Sequence, residues 1–134
     1  MILKINHIAI AVSDLEEAAG HFGSAIGLTE VHREEVAEQK VKTASFQVGQ
    51  STIELVSPTV EASPIGKFIE AKGEGIHHIA LEVEDIESAL KSLKDRGVRL
   101  VDEKPRIGAG GHKIAFLHPK SNRGVLIELV EPKK

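Results

Sequence analysis

Two histidines and two glutamates occupy matching places in two similar stretches of the sequence, and their types suit them for chemistry. His7 begins the stretch HIAIAVSDLEEA, and His78 begins the related stretch HIALEVEDIESA. Glu54 and Glu128 each stand inside an identical I-E-L-V run. A carboxylate among aliphatic residues is costly to bury without a partner, and β-propensity does not favour histidine in a strand. The four residues therefore predict a site with a chemical function.

Two imidazoles and two carboxylates form a credible ligand set for one divalent metal ion, such as Co, Zn, Ni or Mn. An octahedral ion held by His7, Glu54, His78 and Glu128 would keep two positions for water or substrate oxygens. A lone histidine usually has a structural role, but the repeated placement of all four residues favours a metal site. The chain has no cysteine, which excludes disulfides and thiolate ligands.

The repeat also predicts the elements that must position these side chains. Alternation along a strand places His7, Ala9 and Ala11 on one face, and His78, Ala80 and Glu82 on the corresponding face of the second copy. The predicted fold class is α+β, with two paired βαβββ modules that form a curved mixed sheet around the metal site. We expect one domain over 1–134, with module one at 1–62, a short helical link at 63–71 and module two at 72–134.

Local signals predict where the elements begin and end. Ser13 and Glu16 have the spacing of a capping box, Ser63-Pro64 predicts a second helix, and the third helix runs from Asp85 to Arg96 before Gly97. Strands are predicted over 3–12, 29–36, 42–48, 51–57, 76–83, 98–101, 113–118 and 125–131.

A glycine-rich segment, GAGGHKIAFLHPKSNRGVLIEL at 108–129, is a second candidate binding region. Its glycines permit a loop with exposed backbone N–H groups, and Lys113, Lys120 and Arg123 add positive charge nearby. These groups suit a phosphate-bearing ligand. The alternative is a flexible loop with ordinary surface lysines.

Composition narrows the classes of protein to consider. Hydrophobic residues make up 41% of the 134 residues and charged residues 28%, which is typical of a globular domain. The net charge of -3 and the absence of Trp and Tyr argue against nucleic-acid binding. The apolar run at the start is too short to span a membrane or to act as a usual signal peptide, so a cytoplasmic protein with no membrane partner is expected.

Paired βαβββ modules with a histidine in the first strand and a carboxylate in the last strand resemble the vicinal oxygen chelate (glyoxalase/bleomycin resistance/dioxygenase) superfamily. Within it, NHIAIAVSDLEEA, SPIGKFIEAKGEGIHHIALEV and HPKSNRGVLIELVE are similar to the methylmalonyl-CoA epimerases. The resemblance implies a glyoxalase-like fold, metal ligation by the same four residues, a coenzyme A thioester substrate and a homodimer. It also implies that Lys113, Lys120 and Arg123 lie near the coenzyme A phosphates.

The implied reaction interconverts (2R)- and (2S)-methylmalonyl-CoA by removal of the C2 proton through a metal-stabilised enolate. Glu128 is the implied catalytic residue. Some family members place a second base at a glutamate in the third strand, and Thr43 occupies that position here. Because threonine cannot act as that base, the second proton-transfer group stays open between Glu54, a water and another residue.

Two alternatives to the epimerase follow from the same residues. Glyoxalase I, which acts on the glutathione hemithioacetal of methylglyoxal, has a similar ligand set and a similar proton transfer. A non-catalytic protein that binds a small molecule in the groove is the other. Substrate assays distinguish glyoxalase I from the epimerase, and metal content distinguishes the non-catalytic binding protein from both.

Overall fold

The computed structural model describes all 134 residues and contains eight strands and three α-helices, which confirms the α+β class. The chain divides into two compact units. The first unit is His7–His77, and the second combines Met1–Asn6 with His78–Lys134. The strands are β1 (Ile2–Ala11), β2 (Thr29–Val36), β3 (Val41–Val48), β4 (Ser51–Pro58), β5 (Gly75–Val83), β6 (Arg106–Ile107), β7 (Lys113–Leu117) and β8 (Ile127–Glu131), and the helices are α1 (Leu15–Gly20), α2 (Pro64–Lys72) and α3 (Ile86–Asp95).

In the first unit the strand order is β2-β3-β4-β1. Strand β1 is parallel to β4, whereas the pairs β4/β3 and β3/β2 are antiparallel. Helix α1 covers one core cluster and helix α2 contributes to another, so apolar side chains are buried on both faces of the sheet. The first cluster contains Val12, Leu15, Ala19, Ala44, Phe46 and Leu55, and the second contains Ala9, Ala11, Val41, Val56 and Ile65.

The second unit repeats this plan with the order β5-β8-β7-β6. Strand β5 is parallel to β8, and the pairs β8/β7 and β7/β6 are antiparallel. Helix α3 buries Ile86 and Leu90 against the sheet, while a smaller cluster contains Ala80, Ile114 and Val130. The same order of parallel and antiparallel pairs in both units confirms the paired βαβββ modules that the internal repeat predicted, and it agrees with the glyoxalase-like fold that the family resemblance implied.

Two of the three predicted helix starts are confirmed by their capping contacts. The Ser63 side chain accepts a hydrogen bond from Gly66 N–H, and the Asp85 side chain accepts one from Ser88 N–H. The prediction for α1 was wrong by one residue, because Asp14 is the N-cap and accepts from Glu17 N–H at 3.1 Å. Ser13 instead donates its backbone N–H to Glu74 Oε2.

The strand predicted over 98–101 was also wrong. Only Leu100 forms a β-bridge there, with Leu117, and the edge strand of this unit is the two-residue β6. The reason lies in Asp102, whose Oδ2 accepts the Phe116 N–H at 2.8 Å. A carboxylate that takes a backbone donor in this way replaces a strand-to-strand hydrogen bond, and the ladder stops.

Helix α1 continues past Gly20 as a π-helical segment, His21–Ala25. Its Ile26 N–H donates to the His21 carbonyl at 3.0 Å, the spacing of a π-helix. No helix in the structure is both long enough and apolar enough to cross a membrane.

Candidate metal and substrate site

The first unit holds one histidine–glutamate pair, on neighbouring parallel strands. His7 lies on β1 and Glu54 on β4, where Ala9 is the register partner of Glu54. His7 is 9% exposed, and its Nε2 lies 3.9 Å from Glu54 Oε1. The strand alternation that predicted His7 on the same face as Ala9 therefore holds, and Glu54 shares that face.

The second unit builds its pair in the same way. His78 lies on β5 and Glu128 on β8, and Ala80 is the register partner of Glu128. Nε2 of His78 lies 3.2 Å from Oε1 of Glu128, and both residues are buried. In each unit the histidine thus stands two residues before the alanine that pairs with the glutamate, so the two copies place their donors by an identical rule.

These side chains have the donor chemistry that a divalent metal needs. His7, His78 and Glu128 are three buried residues that could hold a metal ion, each offering one ligand atom. Imidazole nitrogen and carboxylate oxygen are ligands of Zn, Co, Ni and Mn. A buried carboxylate and imidazole that meet a cation also avoid the desolvation cost of an isolated charge.

An aromatic and a basic residue border the second pair, and the sequence prediction missed both. The Phe116 ring meets the His78 ring edge to face, with 5.3 Å between their centroids. The Arg106 guanidinium lies 5.7 Å from the centre of the Phe116 ring, and Arg106 Nε is 3.5 Å from Asp102 Oδ1. Only the short strand β6, absent from the predicted elements, brings Arg106 to this place.

Strand register puts these residues on one face of the second unit. Phe116 is the cross-strand partner of Glu128, and Ile114, two residues earlier, is the partner of Arg106. Directly opposed residues of antiparallel strands point to the same side of the sheet. Arg106 therefore shares the face that carries His78 and Glu128, with one phenyl ring between its guanidinium and the histidine.

The three predicted substrate contacts lie in different surroundings. Lys113 is the partner of Glu131 on the opposite face of the sheet, and its Nζ is 3.5 Å from Glu87 Oε1 in the first turn of α3. Lys120 and Arg123 are exposed in the turn after β7. The structure therefore does not bring Lys113 to the face of Glu128, and contact of these three with a substrate stays a prediction.

The glycine-rich loop is more ordered than its composition predicted. Ala109–Gly111 forms a short 3₁₀ turn, in which Gly111 N–H donates to the Gly108 carbonyl and Gly108 N–H donates to the His112 carbonyl. His112 Nδ1 accepts the Lys133 N–H at 2.8 Å. Two of the backbone donors expected for a phosphate are thus already used inside the loop.

Thr43 lies on β3 in the first unit and is 3% exposed. Its hydroxyl oxygen is buried and has no hydrogen-bond partner. The residue is the register partner of Val56 on β4, two residues from Glu54. A small hydroxyl group thus occupies the position at which, by the resemblance, some family members have a glutamate.

The remaining histidines outside β2 have structural contacts. The His77 ring packs against Phe68, and the His21 ring against Phe22. His118 Nδ1 accepts the Lys120 N–H and so caps the turn that follows.

Comparison with known proteins gives the family. A family model described as the Glyoxalase/Bleomycin resistance protein/Dioxygenase superfamily matches residues 6–116. The chain belongs to this superfamily. The predicted resemblance is thereby confirmed.

Members of the superfamily with epimerase names are similar to this chain over nearly its whole length. The ethylmalonyl-CoA/methylmalonyl-CoA epimerase of Cereibacter sphaeroides is 41% identical over 96% of this chain and 98% of its own. The Bacillus subtilis protein YqjC, an uncharacterized protein without an epimerase name, is 44% identical over 97% of this chain and 93% of its own. A variant of Streptomyces coelicolor methylmalonyl-CoA epimerase in complex with 2-nitronate-propionyl-CoA has a TM-score of 0.96 and 36% identity, with full coverage of both chains.

Superfamily members with the alternative activity are more distant. A putative lactoylglutathione lyase of Brassica oleracea is 22% identical over 93% of this chain, which spans 43% of that protein. The similarity therefore favours the epimerases over the glyoxalases.

Proposed function

We propose that this protein is a metal-dependent epimerase that interconverts (2R)- and (2S)-methylmalonyl-CoA by abstraction of the C2 proton. The observation that carries the proposal is the pair of identically built histidine–glutamate sites in a chain that matches epimerases along its whole length. The C2 hydrogen of this substrate lies between a thioester and a carboxylate. Two neighbouring acceptor oxygens of this kind suit a site that keeps two open positions.

The proposed ligands are His7 and Glu54 from the first unit, with His78 and Glu128 from the second. Their donor atoms are imidazole nitrogens and carboxylate oxygens, and three of the four residues are buried. A divalent metal bound there would stabilise the negative charge that develops on the substrate oxygens as the C2 proton leaves. Which of Co, Zn, Ni or Mn is used depends on availability as well as on these ligands.

Glu128 is the proposed proton-transfer residue of the second unit. A carboxylate bound through one oxygen keeps its other oxygen available to accept a proton. The Phe116 ring beside His78 reduces access of water on this face, and a drier site strengthens the electrostatic interactions within it. We further propose that the phosphates of coenzyme A contact basic residues, for which Lys120 and Arg123 stay candidates.

The assembly and location belong to the same proposal. A homodimer is supported by the large apolar residues exposed on β1, among them Ile2, Leu3 and Ile5. Sedimentation of the purified protein at about twice the chain mass of 14.5 kDa would agree with this state. Cytoplasmic location rests on the sequence prediction alone.

A substrate comparison tests the function. The metal-loaded protein is incubated separately with C2-deuterated methylmalonyl-CoA in ordinary water and with the glutathione hemithioacetal of methylglyoxal. We expect loss of deuterium with appearance of the other epimer, and no lactoylglutathione. Formation of lactoylglutathione without deuterium loss would contradict the proposal in favour of glyoxalase I. Failure of the protein to retain any divalent metal after purification without chelators, together with no reaction of either substrate, would instead favour a non-catalytic binding protein.

A further inference from the structure

An apolar side chain borders the proposed ligands of the second unit, and the proposed reaction gives it no contact with the substrate. The substrate of that reaction has one apolar group on its reacting carbon, the methyl group on C2. The thioester and the carboxylate, which are the other carbon substituents of C2, carry the oxygens that suit a metal. The following inference rests on the proposed epimerase function and concerns the residue that contacts the C2 alkyl group.

Phe116 lies beside both proposed ligands of the second unit. It is the register partner of Glu128 across the β7/β8 pair. Directly opposed residues of antiparallel strands have Cβ atoms about 4.5–5.5 Å apart and point to one side of the sheet. The Phe116 ring also meets the His78 ring at 89°, with 5.3 Å between the ring centres. A reacting carbon held at the Glu128 carboxylate therefore lies next to this phenyl ring.

The other apolar residues in this cluster are closed to a ligand. Ala80, Ile114 and Val130 are 0%, 5% and 2% exposed. The backbone of Gly108 lies against Ile114, since a Cβ atom added at Gly108 would come within 2.6 Å of Ile114 Cδ1. Phe116 packs against the same cluster and is only half-buried. It is therefore the member of the cluster whose side chain is available to a ligand.

Contacts with two other side chains hold the Phe116 ring in place. The Arg106 guanidinium lies 5.7 Å from the ring centre, and the His78 ring packs edge to face with it. Asp102 supports this arrangement, because Oδ1 is 3.5 Å from Arg106 Nε and Oδ2 accepts the Phe116 N–H at 2.8 Å. Aromatic rings in such contacts prefer a defined orientation. The ring is therefore a fixed surface that does not move aside for a larger group.

We propose that Phe116 packs against the C2 alkyl group of the bound thioester and limits its size. A methyl group fits beside the ring, whereas each further methylene needs space that the ring occupies. Extra methylenes in a packed site force side chains away from their preferred rotamers. One methylene more or less in an apolar pocket changes specificity by about 10- to 200-fold. The ligand class is therefore a malonyl-CoA thioester with a small alkyl group on C2.

Replacement of the ring tests the proposal through the preference between two substrates. Wild type, Phe116→Leu and Phe116→Ala are assayed with methylmalonyl-CoA and with propylmalonyl-CoA by exchange of the C2 hydrogen with deuterated water. We expect wild type to prefer the methyl compound in kcat/KM by at least about 100-fold. This preference should fall by at least about 10-fold in Phe116→Ala, and Phe116→Leu should lie between the two.

The preference separates selection by size from a general loss of site structure. Removal of a ring that packs on His78 should also lower the rate for both thioesters, but a disturbed site alone lowers both by the same factor. The dissociation constants of the two thioesters, measured by calorimetric titration, should change their ratio in the same direction in Phe116→Ala. A change of ratio in both kcat/KM and binding is the result expected of a lost steric contact.

Phe22→Ala is the matched control, because it makes the same substitution in a core cluster of the first unit. Phe22 packs against the cluster that contains Phe46 and Leu55. Leu55 follows Glu54 along β4 and so points to the opposite side of the sheet. The control variant should lose stability in urea unfolding and keep the wild-type preference between the two thioesters.

Three results would overturn the role of Phe116. The first is an equal kcat/KM of wild type for both thioesters. The second is an unchanged preference in Phe116→Ala, or in Phe116→Leu where the alanine variant does not fold. The third is an equal change of preference in Phe22→Ala. Failure of the wild-type protein to epimerise methylmalonyl-CoA would instead refute the proposed function itself.

Discussion

Glu128 combines a charge with a position in an otherwise apolar strand. It is 5% exposed, lies between Ile127 and Leu129, and meets His78 at 3.2 Å. A carboxylate in this setting costs free energy unless a cation or a hydrogen-bond donor compensates it. Its presence in an I-E-L-V run is therefore better explained by metal binding and proton transfer than by packing.

Replacement of Glu128 by Gln tests this interpretation. Because the side chain is proposed as both ligand and base, we expect epimerisation and C2 exchange from both epimers to fall by about 10²- to 10⁴-fold. Glu84→Gln, an exposed substitution at the position after β5, is the control. Substantial exchange in Glu128→Gln would remove the residue from the mechanism.

Arg106 is the basic residue that the strand register favours for an anionic part of the substrate. It shares the face of Glu128, whereas Lys113 lies on the opposite face beside Glu87. We expect Arg106→Gln to raise KM for the coenzyme A thioester by about 10-fold, in keeping with loss of one charge-assisted hydrogen bond. Lys113→Gln should change KM little. A larger rise in KM for Lys113→Gln than for Arg106→Gln would instead support the sequence-based prediction that Lys113 contacts the substrate.

Among the elements, α3 was the most predictable from sequence. Its start at Asp85, its apolar positions Ile86 and Leu90, and its stop before Gly97 all follow from local chemistry. The strand at 98–101 was wrong because Asp102 takes a backbone donor from Phe116, a contact between residues distant in sequence. Local propensity depends on residues that are close together in the sequence. It therefore does not account for competing contacts between residues that are far apart in the sequence.

The Asp85 cap also predicts a pH dependence of stability. Hydrogen bonds from the Ser88 backbone N–H and then from the Ser88 hydroxyl lower the pKa of Asp85. A carboxyl group with a lowered folded-state pKa stabilises the protein above its unfolded pKa, and the contribution is lost as pH falls through the folded value. Asn keeps an acceptor without the charge. In urea unfolding, the advantage of wild type over Asp85→Asn should therefore be present at pH 6, decline once the pH falls below about 4, and be lost as the pH passes through the lowered folded-state pKa.

Equal stability of Asp85→Asn and wild type at pH 6 would show that the charge contributes nothing. Ser88→Ala is a useful comparison, because it removes the hydroxyl hydrogen bond and keeps the backbone one. Its pH dependence should be weaker than that of wild type but still present.

At the scale of the whole molecule, the metal is expected to be needed for activity but not for the fold. Each unit has apolar clusters of its own, such as the one around Phe46 and Leu55 and the one around Ile86 and Leu129. Chelator-treated protein should therefore lose activity while its circular dichroism spectrum stays unchanged. Addition of Co, Zn, Ni or Mn should restore activity and raise Tm, since a ligand at 100 times its Kd stabilises the native state by about 2.7 kcal/mol.

His78→Ala is the control for this experiment, because it removes one proposed ligand and should abolish the rise in Tm. Metal analysis of the untreated protein should find about one divalent ion per chain, as expected for a single site with four protein ligands. An unchanged Tm response in His78→Ala, or full activity after chelation, would contradict the proposed metal site.

The sequence by itself determined the α+β class, the repeat of the βαβββ order and the four candidate ligands. It could do so because strand alternation and the duplicated H-I-A and I-E-L-V runs are local patterns that can be recognised in the sequence alone. Only the tertiary structure decided which residues share a face with those ligands. The bulge at Val31 turns His32 and Glu34 to the face of Glu54, and the edge strand β6 places Arg106 over Phe116. Both depend on strand register, which is set by hydrogen bonds and packing between segments far apart in the chain.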